Sequence, residues 1–299
     1  MHRGSEEHKQ LFCRTFIDTH ERWEPEALTW PELAEKDLAM LRALPIWSTF
    51  WQVERNAGVM VDAIAQRESD PLIREALALQ GYEESRHGRL IGEIVRQYAL
   101  PAESQEPDVV ATEQAFIDFG CGECVDSFVG FGVFQLARDA AFMPDALFAI
   151  FARVLSEEAR HIMFFVNWLA YKRAKRPWPL RPLHVASSAR GYFHGLRNIV
   201  RNGKAAAGGA PSGDLPAGDD VFAGLPLTRV LEACVRENDR RMSAFDPRLL
   251  RPSLMPSIGR TALAVARIPA RLRGDRRNVK HVEDQYRRAG AERNTGGDL

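Results

Sequence analysis

The sequence predicts an all-α protein organised around four long helices. Three observations carry that expectation. Apolar residues recur at helical spacing over several long stretches, and no stretch shows the sustained period-two alternation of a half-buried strand. Prolines and short polar clusters divide the chain into segments of helix length. In order, Pro31 opens a helix over 31–44, proline being favoured in a first turn. Pro45 opens the next, over 45–67, whose stripe Trp47, Phe50, Glu54, Ala57, Val61, Ile64 sets one carboxylate on the buried face. After the turn Ser69-Asp70-Pro71 come helices over 71–98, 112–142 and, past Met143-Pro144-Asp145, 145–175. Arg176-Pro177-Trp178-Pro179 ends the set, because neither proline can donate a helix hydrogen bond. Helices over 183–200 and 227–243 then flank a loop at 202–220 rich in Gly, Ala, Pro and Ser. The organisation that follows is an N-terminal extension with one helix (1–44), a four-helix body (45–176), additional helices with the loop (177–259), and a basic, partly disordered tail (260–299).

The most specific feature is a repeated pentamer, Glu-Glu-x-Arg-His. It occurs as Glu83-Glu84-Ser85-Arg86-His87 and again as Glu157-Glu158-Ala159-Arg160-His161. Residues three apart share a helix face, so Glu84 projects with His87 and Glu158 with His161. Two such pairs, with one carboxylate from each of two further helices, form the ligand set of dimetal carboxylate bundles. Glu54 supplies the first carboxylate: it lies 30 positions before Glu84, and its place inside an apolar stripe is costly unless it is paired or bound to metal. Glu123 is the second, with Asp126 as the alternative, since both fall on nearly the same helix face upstream of Glu158. A π-bulge would absorb the extra residues before Glu123, and Gly120, Gly122, Gly130 and Gly132 make this helix the place to expect one. The return helices match at an offset of 74: Leu77, Gln80, Glu84, His87, Ile91 and Ile94 align with Phe151, Val154, Glu158, His161, Phe165 and Trp168. The bland alternative is a pair of ordinary buried histidines satisfied by nearby carboxylates, and the duplication argues against it.

Over 45–171 the chain resembles the ferritin-like di-iron carboxylate superfamily, in which ribonucleotide reductase small subunits and bacterial multicomponent monooxygenases show a similar acidic-Glu-x-Arg-His run. The resemblance implies a ferritin-like four-helix bundle with two iron ions, manganese or a mixed pair being the alternatives. It implies Glu84 and Glu158 as bridges, His87 and His161 as terminal ligands, and Glu54 and Glu123 completing the site. It further implies that Glu157 orients His87 and Glu83 orients His161 through the ring nitrogen away from metal. Arg86 and Arg160 would then neutralise these outer acids, the alternative being solvated helix surface.

Composition bounds the rest. The 299 residues are 45% hydrophobic and 27% charged, with 40 Lys and Arg against 40 Asp and Glu, so net charge gives no pull towards nucleic acid. No apolar run has the length of a transmembrane helix, and the N-terminus lacks the apolar core of a signal peptide, which makes a cytoplasmic protein the expectation. Four cysteines are too few for a disulfide framework. Cys121 and Cys124 form a solitary Cys-x-x-Cys and read as small packing residues, with a redox role as the alternative. The tail carries ten Lys and Arg against five Asp and Glu, including Arg267, Arg271, Arg273, Arg276, Arg277 and Lys280. It reads first as solvated chain and, alternatively, as a contact for an anionic partner such as an acyl or peptidyl carrier. The length of chain after the fourth ligand helix favours a substrate-handling enzyme, while five phenylalanines on the 112–142 helix (Phe116, Phe119, Phe128, Phe131 and Phe134) read either as plain core or as the wall of an apolar pocket. The expected function is thus an oxygen-dependent non-haem di-iron oxidase or oxygenase. Its partners are O2, a small organic or carrier-bound substrate and an electron donor, with room for a homodimer. Iron storage by a ferroxidase, a dimanganese catalase and a metal-free helical interaction protein are the alternatives.

Overall fold

The computed structural model describes residues 1–177, 179, 181–208 and 225–273, and within them every regular element is helical. These are α1 (Glu6–Asp18), a 3-10 turn (Pro25–Ala27), α2 (Glu35–Ala43), α3 (Trp47–Ala65), α4 (Pro71–Gln97), α5 (Glu113–Asp139), α6 (Asp145–Lys175), α7 (Arg181–Gly208), α8 (Leu227–Met242) and α9 (Leu254–Arg273). Among the described residues no helix is long and apolar enough to cross a membrane.

Local chemistry sets the starts of the long helices. Asp70 accepts from the backbone N–H groups of Leu72 (3.0 Å) and Ile73 (3.2 Å), and Pro71 takes the first position of α4, where a missing N–H is harmless. Thr112 caps α5 through Ala115 N (3.1 Å), and Ser5 caps α1 through His8 N (3.1 Å). α3 and α4 form an antiparallel pair whose seam brings Gly92 against Trp51, Gly88 against Arg55, Gly58 against Ser85 and Gly81 against Asp62. A Cβ on Gly58 would sit 2.9 Å from Ser85 N, and one on Gly81 2.9 Å from Asp62 N. The absent side chains let the two backbones approach, which carries Glu54 of α3 up to the ligand turn of α4.

α5 packs against α6, α7 and α8, while α1 lies across α4 and α6. Phe12 and Phe16 of α1 are fully buried and meet the ring of Phe164 at 5.6 and 5.1 Å. With Phe116, Phe131, Phe165 and Trp168 they form the main core; a second apolar cluster around Trp23, Leu41, Trp47, Leu90 and Ile94 closes the other end.

Several expectations need correcting. Residues 1–44 contain two α-helices and a 3-10 turn where one helix was expected. α1 joins the core through Leu11, Phe12, Cys13, Phe16 and Ile17, a short apolar face on a helix that is polar elsewhere. The helix expected from Pro31 begins at Glu35, because Ala34 is still extended. α5 runs as α-helix throughout, with no π-bulge. The loop expected over 202–220 starts as helix, since α7 continues to Gly208, and α9 crosses the expected tail boundary at 260. The rest of that loop to 220, and Arg276, Arg277 and Lys280 of the tail, lie outside the described residues.

Candidate metal centre

The two pentamers face each other in the interior between α4 and α6, and their outer acids are exchanged. His87 Nε2 and Arg86 Nη2, from the first pentamer, donate to Glu157 of the second at 2.8 and 2.6 Å. His161 Nε2 and Arg160 Nη1, from the second, donate to Glu83 of the first at 2.8 and 3.0 Å. Both arginines are buried, so the solvated-surface reading of Arg86 and Arg160 does not hold. An N–H on each Nε2 turns each Nδ1 inward, where it offers a lone pair once any proton on it is displaced.

Around those Nδ1 atoms stand the inner carboxylates. His87 Nδ1 lies 3.1 Å from Glu158, 3.5 Å from Glu54 and 3.8 Å from Glu84. His161 Nδ1 lies 3.0 Å from Glu84 and 3.4 Å from Glu158. Donor atoms of Glu54, Glu84, His87 and Glu158 all fall within 4.8 Å of one another, a group that could hold a metal ion. Glu123 and His161 fall outside that group of four. Glu123 nevertheless lies near enough to Glu158, Glu84 and Glu54 for their charges to add to burial in raising its carboxyl. Asp126, the alternative, is exposed as a residue on α5, yet burial of its carboxyl group, aided by the charge on Glu158, pushes it up to about 6.

Electrostatics shows what the arrangement lacks. Glu54, Glu83, Glu84, Glu123, Glu157 and Glu158 face two guanidinium groups and three imidazoles, those of His87, His161 and, beside Glu83, His20. Even with all three imidazoles protonated, one negative charge would remain without a partner. The groups respond accordingly. Burial, aided by the charges on Glu158 and Glu84, raises Glu54 to about 7 against the pull of His87, and it raises Glu123 well above the carboxylate range. Burial opposes charge on both imidazoles, but Glu157, Glu158 and Glu54 hold His87 well above its usual range, and Glu84, Glu158 and Glu83 do the same for His161. Burial also opposes charge on Glu158, yet the two imidazoles hold its carboxyl well below the ordinary value.

Dications fit this donor set. The Nδ1 atoms of His87 and His161 and Oε2 of Glu158 are buried without a hydrogen-bond partner, an expensive state unless something binds them. Metal–donor bonds of roughly 2.0–2.2 Å put neighbouring donors about 3 Å apart, which is the spacing of the closest pairs here. The cluster meets solvent on its carboxylate side only: the side chains of Glu54 and Glu158 are 23% and 11% exposed, those of Glu84 and His87 1%.

The histidine side is sealed by residues that spacing alone did not reveal. Trp23 Nε1 donates to Glu157 at 2.7 Å, and His20 Nδ1 lies 2.5 Å from Glu83. Arg86 reaches the carbonyls of Glu21 and Trp23, and Arg160 reaches Thr19 Oγ1 and the Phe16 carbonyl. The segment after α1 thus closes both outer acids, and no periodicity in it could have signalled that. Gln80 was visible as a polar residue in an apolar stripe; its amide donates to Glu84 Oε1 at 3.2 Å. Cys121 and Cys124 are buried free thiols, raised by that burial, as packing residues would be. No protein-family model, curated protein or solved structure matches the chain.

Proposed function

We propose that this chain is an oxygen-dependent, non-haem di-iron oxidase or oxygenase with a ferritin-like bundle, acting on a small organic or carrier-bound substrate. The observation that carries the reading is the buried surplus of carboxylates around two unpartnered imidazole nitrogens, a demand for dications. On this reading Glu54 and His87 would hold one ion, Glu123 and His161 the other, with Glu84 and Glu158 available to both. When bound, iron supplies the electrons that reduce O2; manganese or a mixed pair suits the same mixed nitrogen and oxygen donors.

The chain's own groups do the rest. Glu157 and Glu83 fix the imidazole tautomer and aim each Nδ1 inward. Arg86 and Arg160 neutralise those outer acids, so the inner carboxylates are left to the metals. Trp23, His20 and α1 keep water from the histidine side. O2 and substrate approach from the side where Glu54 and Glu158 meet solvent. An electron donor completes the cycle.

Anaerobic Fe(II) loading, metal analysis and O2 uptake test the reading. Two irons per chain are expected, with O2 consumed in fixed ratio to iron and a need for electrons before a second reaction. Accumulation of a mineral core would favour storage, and peroxide disproportionation with bound manganese would favour catalase. Failure to retain any transition metal would leave a metal-free interaction protein.

A further inference from the structure

The two halves of the centre match at an offset of 74, with one exception among the buried polar positions. Glu83, Glu84, Arg86 and His87 of α4 find the same residue types in Glu157, Glu158, Arg160 and His161 of α6. Gln80, however, aligns with Val154. Gln80 is fully buried, and its Nε2 donates to Glu84 Oε1 at 3.2 Å. That oxygen is the one lying 3.0 Å from His161 Nδ1. The amide nitrogen must face Glu84, because a carboxylate only accepts. The other end of the amide is left bare: Gln80 Oε1 is buried without a partner. A valine or leucine would fill the stripe without burying an unpaired oxygen, so the glutamine's place is explained by what its N–H does.

Glu158 has no such restraint. Val154 cannot donate, Glu158 Oε2 has no hydrogen-bond partner, and its side chain is more exposed than that of Glu84. We propose that Gln80 is a positioning residue that makes the two central carboxylates unequal: it holds Glu84 turned towards His161 and leaves Glu158 as the one that reorients. The inference rests on the dimetal reading above and adds an asymmetry to it. A held carboxylate presents its oxygens without first being ordered, so the ion beside His161, served by the oxygen that Gln80 fixes, gains affinity over its neighbour. The two ions are therefore bound in separate steps.

Stepwise titration with Co(II) alone tests this, read by calorimetry and by the visible bands that report cobalt coordination. The unaltered protein should bind two ions with affinities roughly 10–100-fold apart, the usual size of an outer-shell contribution. Gln80→Met keeps the side chain's length but donates nothing; it should weaken the tighter step until the two converge, and alter the bands of that ion. Val154→Gln, which gives Glu158 the missing donor, should bring the steps together by strengthening the weaker one, and it carries the test if Gln80→Met does not fold. Two indistinguishable steps in the unaltered protein, or a gap and spectrum unchanged in a folded variant, would overturn the role of Gln80 while leaving a dimetal site standing. No uptake of cobalt at all would instead remove the dimetal reading itself.

Discussion

Replacing Glu83 by glutamine removes one charge from the most enclosed part of the molecule and little of its shape. Burial opposes ionisation of Glu83, but the hydrogen bond and charge of His161, the charge of Arg160 and the hydrogen bond of His20 more than offset it and bring the carboxyl down to about 2. A group that ionises near 2 when folded and near 4.5 otherwise contributes about 3 kcal/mol at neutral pH, at about 1.4 kcal/mol per pH step. Because the folded value is the depressed one, that stability is fully present above pH 4.5 and is lost as pH falls through 2. Breaking a buried ion pair by removing one partner costs about 3–5 kcal/mol, the same order, because Arg160 is left without its carboxylate. Urea unfolding of metal-free protein, followed by circular dichroism, should therefore show Glu83→Gln about 3 kcal/mol less stable at pH 7, with the gap narrowing steadily below pH 4.5. In the same variant metal affinity should fall by roughly 10–100-fold, since His161 loses the acid that orients it. A gap that stays constant with pH, or no gap, would refute the assignment of Glu83 as a charged anchor.

Three further outcomes are expected. If the proposed dimetal reading holds, Glu158→Ala should abolish O2 consumption by Fe(II)-loaded protein while its helical circular dichroism is kept, because the change removes a proposed ligand to both ions and no apolar core group; retained turnover would contradict that role. Metal uptake should weaken as pH falls, since both imidazoles are held protonated above their usual range and each ion must displace a proton from Nδ1; the check is proton release measured during loading at several pH values. Gly58→Val should destabilise the fold by about 1–3 kcal/mol in thermal or urea unfolding, because the added Cβ would lie 2.9 Å from Ser85 N and force α3 off α4.

Much of this protein is written in local patterns. Helical spacing and proline placement are set within a few residues, so the spans of α3 to α6 were legible to within three residues at each end. The i, i+3 spacing likewise put Glu84 with His87 and Glu158 with His161 on shared faces, and the stripe of α3 turned Glu54 inward. Tertiary structure decided what periodicity cannot encode. Glu123 and Asp126 lie within one turn of the same face and both feel the charge of Glu158, and only the packing of α5 leaves the first half-buried and the second exposed. His20 and Trp23 come from an irregular segment and reach Glu83 and Glu157 across 63 and 134 positions. A hydrogen bond between residues so far apart leaves no periodic trace, because its geometry is fixed by how the helices stack and not by the order of residues along any one of them.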